Sequence, residues 1–160
     1  MNLELEYQLV KDFPWMKPGD SVETYEPYDA YGCECADGWY EVIRGFCTDV
    51  TNLYKEKGLP VGITVMQIKE KFGLIRIYVN VDDPEMYPVV NKIISKWEEV
   101  SARTCELCGA DGTIRKKNGW LQTSCDKCSD EQDQHIKEIN RKREEELTKI
   151  RAEKEEQNEG

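Results

Sequence analysis

The chain has one histidine in 160 residues. Catalysis by a histidine base, a histidine-rich metal centre or an HNH-type nuclease site needs that residue beside other reactive groups. His135 instead stands in a tract rich in Glu, Gln and Lys, the setting of a solvated helix residue. Apolar residues are scarce too, at 39% against 34% charged, where an average domain is about half apolar and a quarter charged. Such a chain fills a small core and leaves a solvated extension. No run of 18 apolar residues occurs, so no membrane-spanning helix is expected. Met1-Asn2-Leu3-Glu4-Leu5-Glu6 has neither the basic nor the apolar segment of a secretory leader, and the expected location is the cytoplasm. In a reducing cytoplasm the seven cysteines favour metal or free thiol over disulfide.

The net charge of −10 is unevenly spread. Residues 1–40 carry −7, residues 41–100 carry −1, residues 101–128 carry +2 and residues 129–160 carry −4. The only positive stretch is the one that holds the cysteine pairs. An acidic molecule is a poor general polyanion binder, although a local basic patch can still touch phosphate. The acidic ends suit solubility or a basic partner.

In residues 1–37, Leu3, Leu5, Tyr7 and Leu9 alternate with Glu4, Glu6 and Gln8. This is the period of a half-buried strand, and a short amphipathic helix fits the same residues. Pro14, Pro18, Gly19 and Pro27 then interrupt regular structure. Phe13, Trp15, Tyr25, Tyr28 and Tyr31 are too many aromatics for a disordered linker. The segment reads as an ordered, irregular, acidic arm on the body. Trp39, Val42, Ile43, Phe46, Cys47, Val50, Leu53 and Tyr54 trace one apolar stripe of a helix over 39–57. Asp37 is its expected N-cap, and Gly58 and Pro60 end it. Val61, Ile63 and Val65, then Ile75, Ile77, Val79 and Val81, alternate as two strands joined by Lys69-Glu70-Lys71-Phe72-Gly73, an antiparallel hairpin. A second helix starts near Tyr87 with Pro88 in its first turn and carries the stripe Val89, Val90, Ile93, Ile94, Trp97 and Val100. Residues 129–158 read as a solvent-exposed helix, with Asp133/Lys137, Glu138/Lys142 and Glu145/Lys149 spaced i, i+4. Its sparse Ile136, Ile139, Leu147 and Ile150 make a monomer the favoured state.

Cys105-Glu-Leu-Cys108 and Cys125-Asp-Lys-Cys128 form a C-x2-C-x16-C-x2-C pattern, a zinc-ligand spacing. Zn2+ takes four thiolates in a tetrahedron, and each C-x2-C turn brings two sulfurs to one side of it. Gly109 supplies permissive backbone after Cys108. Asn118-Gly119 between Thr113–Lys117 and Trp120–Ser124 is the strongest short signal for a two-residue hairpin, which returns the second pair to the first. A four-cysteine site leaves no open coordination position, so the zinc is expected to be structural. Cys47 lies on the helix stripe as a small buried residue. Cys33 and Cys35 read as an exposed thiol pair; a second metal shared with Cys47 or Asp37 is the alternative.

Asp37-Gly38-Trp39, Gln67-Ile68-Lys69-Glu70-Lys71-Phe72-Gly73-Leu74-Ile75-Arg76, Ser101 to Gly109, Gly119-Trp120-Leu121 and Thr123 to Cys128 together resemble a family of small, uncharacterised proteins from bacteriophages and bacterial mobile elements. The resemblance covers roughly residues 37–128. It implies phage or prophage origin and a bacterial host cytoplasm, and it implies no activity.

The expected fold is α+β. It has a small helix–β-hairpin–helix body (38–102), an appended four-Cys zinc ribbon (103–129) and a charged C-terminal helix (130–160), after the arm (1–37). Asp82-Asp83, Glu70, Arg76 and Asp37 have no spacing that demands an acid–base or Mg2+ site, and no enzyme is expected. The first expectation for function is a regulator, inhibitor or adaptor that binds a host or defence protein with a basic surface. Trp15, Tyr25, Tyr28 and Tyr31 would be its anchors and Glu23, Glu26 and Asp29 its steering charges. The alternative is a nucleic-acid-binding ribbon or transcription accessory in which Arg115, Lys116 and Lys117 hold phosphates and Trp120 stacks on a base.

Overall fold

The structure, a computed structural model, describes residues 1–18, 27–117 and 119–158. The chain forms two compact units, Met1–Cys125 and Asp126–Gly160. The fold is α+β. Its elements are helices α1 (Leu3–Asp12) and α2 (Pro27–Tyr31), strand β1 (Cys33–Glu34), helix α3 (Tyr40–Glu56), strands β2 (Ile63–Lys71) and β3 (Leu74–Val81), helix α4 (Tyr87–Ser101), strands β4 (Thr113–Lys117) and β5 (Trp120–Ser124), and helix α5 (Asp126–Asn158).

The stripe on α3 forms the centre of the core. Trp39, Val42, Ile43, Phe46, Cys47, Val50 and Tyr54 are all buried, and Leu53 packs at the edge. They cover a three-stranded sheet in the order β1-β2-β3, in which β1 runs parallel to β2 and β2 pairs antiparallel with β3. Helix α4 packs across α3, and Gly45 marks the crossing. A Cβ on Gly45 would overlap the Trp97 ring, which explains a glycine in mid-helix. Asp49 Oδ2 accepts from Trp97 Nε1 at 2.8 Å and from Lys96 Nζ at 2.6 Å. Helix α4 begins at Tyr87, with Pro88 in its first turn. On its stripe Val90 is fully buried, whereas Val89 is 38% exposed and does not contribute to the core.

Of the two forms that fit residues 3–12, the chain takes the helix, and several other elements differ from the reading of the sequence. Leu5 and Leu9 share the inner face of α1 at i, i+4, while Leu3 and Tyr7 share its outer face. The alternation therefore comes from two helical faces. Asp37 does not cap α3. It lies in a 3-10 turn, Asp37–Trp39, and its carboxylate accepts from Asn2 N and Asn2 Nδ2, each at 2.7 Å. These bonds, the backbone one foremost, hold its pKa below the usual carboxylate value. Strand β2 runs on to Lys71, so the hairpin loop is only Phe72-Gly73. A bulge between Val65 and Gln67 also shifts the buried phase from Ile63 and Val65 to Ile68. Cys33 and Cys35 are buried, not exposed. Burial raises the pKa of both thiols, Cys35 to about 12, and does the same to Cys47. Protonated thiols of this kind are poor ligands and nucleophiles.

Helix α5 starts inside the second cysteine pair, three residues before its expected start. Glu138 bonds Arg141 at 2.7 Å and Lys142 at 3.4 Å, and Arg141 also meets Glu145. Ile136, Ile139, Leu147 and Ile150 are between 36% and 50% exposed. Among the described residues, no helix is long and apolar enough to cross a membrane.

Candidate metal centre

The ribbon hairpin β4–β5 has the register Thr113↔Ser124 to Lys117↔Trp120, closed across a two-residue loop in which Gly119 adopts φ +89°. This register carries Cys125 back to the Cys105–Cys108 turn. The four sulfurs of Cys105, Cys108, Cys125 and Cys128 all lie within 4.8 Å of one another, and Cys108 Sγ is 3.7 Å from Cys125 Sγ. A tetrahedral ion with metal–sulfur bonds near ~2.3 Å separates its ligands by about 3.8 Å, so the donors fit a metal.

The local backbone favours thiolate. The first turn closes through Gly109 N donating to Cys105 O at 2.8 Å and Cys105 N donating to Ala110 O at 2.7 Å, with Gly109 at φ +79°. Burial opposes charge on Cys105. The N–H groups of Cys125, Cys108 and Leu107 directed at its sulfur outweigh that, and its pKa falls to about 7. Cys125 immediately precedes α5 and Cys128 lies in its first turn. Cys105 and Cys128 are buried, while Cys108 is exposed.

The ribbon hairpin and the Cys105–Cys108 turn are fastened to the body by groups that the spacing of the cysteines does not reveal. Gly38 N donates to Glu106 O at 2.8 Å, and Trp39 Nε1 donates to Thr104 O at 2.8 Å. Glu106 stands between Cys105 and Cys108 in sequence, and its carboxylate turns to other partners. It accepts from Ala36 N at 3.1 Å and Gln122 Nε2 at 3.4 Å, and burial raises its pKa despite these bonds. Thr123 Oγ1 donates to Gly73 O at the tip of the β2–β3 hairpin. Among the described residues, the blocks Ala36 to Trp39 and Phe72-Gly73 both touch the ribbon.

Gly38 is the tightest of these contacts. A Cβ there would overlap the Cys105 carbonyl oxygen and lie 2.5 Å from the nitrogens of Cys108 and Gly109. Gly38→Ala should therefore destabilise the chain by about 1–3 kcal/mol, the usual penalty for overpacking. Chemical denaturation measures the loss; a change under about 0.5 kcal/mol would show that the turn does not sit on Gly38. The metal content should stay the same, because all four cysteine side chains are kept.

The described residues among the expected partner anchors differ in exposure. Tyr28 is 4% exposed and belongs to the core, so it cannot anchor a partner. Trp15 is half-buried, donates from Nε1 to Thr51 Oγ1 at 3.1 Å and packs edge-on against Phe46. Tyr31 is 64% exposed and Asp29 is half-buried. Tyr25, Glu23 and Glu26 lie outside the described residues. Of the nucleic-acid candidates, Lys116, Lys117 and Trp120 stand at the ribbon tip. Trp120 is 78% exposed, Lys116 is exposed and Lys117 is half-buried, while Arg115 donates from Nε to Ser124 O at 3.1 Å.

A cleft of about 530 Å3 lies between this tip and the tip of the β2–β3 hairpin. Glu70, Lys71, Phe72, Lys116, Trp120 and Leu121 line it. Phe72, missed in the sequence, is 65% exposed at φ +57°. Only a Phe-Gly pair in the position of a two-residue loop could have signalled it.

Comparison with protein-family models, with curated proteins and with solved structures finds no match for this chain.

Proposed function

We propose that this chain is a non-enzymatic zinc-ribbon protein of phage or mobile-element origin whose ribbon tip binds nucleic acid in the bacterial cytoplasm. The observation that carries the reading is the placement of Trp120, 78% exposed, beside the cations of the ribbon hairpin. A tryptophan left in water on a two-stranded hairpin adds nothing to a core, and it offers a stacking face next to groups that bind phosphate. Zinc is the metal because four thiolates form the soft tetrahedral set it takes in structural sites. Four protein ligands saturate it, so the ion serves the shape of the ribbon.

The test is retention on immobilised DNA or RNA across salt. Three phosphate contacts predict an affinity that falls by roughly tenfold or more between 50 and 200 mM salt. Replacement of Arg115, Lys116 and Lys117 by alanine should remove the retention. Retention that ignores both salt and these charges would contradict the reading.

A second reading, a regulator or inhibitor that captures a host or defence protein, draws on a different surface. Leu3, Tyr7 and Tyr31 are 82%, 63% and 64% exposed in the acidic N-terminal region. A nuclease-treated pull-down that recovers a protein lost on Tyr7→Ala and Tyr31→Ala would favour it.

A further inference from the structure

We propose that Phe72 and Trp120 are two halves of one slot, and that the slot stacks unpaired bases, so that the ligand is single-stranded nucleic acid. This inference rests on the nucleic-acid reading above and narrows it to one class of ligand. The cleft between the two hairpin tips, about 530 Å3, falls within the range of about 300–1,000 Å3 typical of small-ligand sites. An aromatic ring stands at each side of it, each more than half exposed.

Phe72 is the more telling of the two. In two-residue hairpin loops the left-handed positions go to Asn, Asp or Gly, and a bulky side chain at φ +57° is an outlier. The ring gains no burial in return, since it is 65% exposed. Thr123 Oγ1 donates to Gly73 O, and a Cβ on Gly73 would lie 3.4 Å from Gln122 N and from Ile114 Cγ2. The Phe72-Gly73 loop is therefore held directly against the ribbon that carries Trp120.

The charge around the slot is opposite to that of the molecule. Residues 69–74 and 114–122 carry Lys69, Lys71, Arg115, Lys116 and Lys117 against one carboxylate, Glu70. Lys71 Nζ lies 5.5 Å from the centre of the Phe72 ring. A stacking face with an ammonium beside it suits a base and its phosphate. Paired bases in a duplex hide their faces, and a patch this small on an acidic protein neutralises too few phosphates to hold a duplex by charge alone.

The experiment titrates the zinc-loaded chain with a 12-nucleotide single strand and with a 12-base-pair duplex at 50 mM salt, following tryptophan fluorescence. Trp120 is much the most exposed indole, because Trp39 is buried and Trp15 and Trp97 are half-buried. The single strand should quench the emission and bind at least tenfold more tightly than the duplex. Phe72→Gly should weaken single-strand binding about tenfold or more. Glycine accepts the positive φ, so the melting temperature should not fall, and the hairpin remains as the control. Equal binding of duplex and single strand, or an unchanged affinity in Phe72→Gly, would overturn the slot while leaving nucleic-acid binding by the ribbon standing. No binding of either oligonucleotide would overturn both.

Discussion

Loss of any one ligand should empty the metal site and melt the ribbon hairpin. In Cys105→Ser the metal loses its most buried donor, the thiol already drawn to about pKa 7 by three backbone N–H groups. Beyond the bonds of Thr123 to Gly73 and of Gln122 to Glu106, the hairpin has little else to hold it. Ile114 and Leu121 are 44% and 37% exposed, and only Thr123 and Ser124 of the two strands are buried. A two-stranded hairpin alone is marginal in water. In small zinc domains, metal binding supplies apparent free energies of about 10–16 kcal/mol, much of it folding energy. Hydrogen exchange is therefore expected to show β4 and β5 unprotected in Cys105→Ser or after chelation. The amides of α3 should stay protected, because that helix has its own core. Protection of β4 and β5 that survives chelation would show that the ribbon stands without metal.

Phe46→Ala should be the most destabilising change in the body. Phe46 is fully buried at the middle of α3, with Trp15 edge-on against its ring at 6.2 Å between centroids. Large-to-small core changes of this kind cost about 3–5 kcal/mol, which in a chain of this size lowers Tm by about 10 °C. Chemical denaturation measures the loss directly, and a value under about 1 kcal/mol would place Phe46 outside the core. Cys47→Ser tests the next position on the same buried stripe. It should leave the zinc content unchanged, since the buried Cys47 thiol is not among the four clustered sulfurs.

The parts of the fold legible in the sequence were those governed by a single period or spacing. Helix α3 has a continuous 3.6-residue stripe, and nothing in the tertiary structure competes with it. The cysteine spacing and Asn118-Gly119 fixed the ribbon because ligand geometry and loop geometry demand the same return of the chain. The N-terminal segment was not legible. Leu3, Leu5, Tyr7 and Leu9 satisfy the strand period, and only the tertiary packing of Leu5 and Leu9 distinguishes a helix. The bulge at Val65/Gln67 changes the buried parity within one strand, which an alternation argument cannot follow. Burial of Cys33 follows from pairing β1 with β2, a contact between residues 35 positions apart, and Tyr28 is buried in α2, an element the sequence did not signal. The four-cysteine cluster was legible for the same reason as the ribbon. Gly38, Glu106 and Phe72 were not, because their roles exist only once the ribbon turn and the body hairpin meet.

Native mass spectrometry of protein purified without chelator counts the metal on the intact chain. The expected mass is that of the chain plus one Zn2+, falling to the bare chain in Cys108→Ser. A native chain that carries less than half an equivalent of zinc, or a Cys108→Ser chain that retains a full one, would contradict a structural site built from Cys105, Cys108, Cys125 and Cys128.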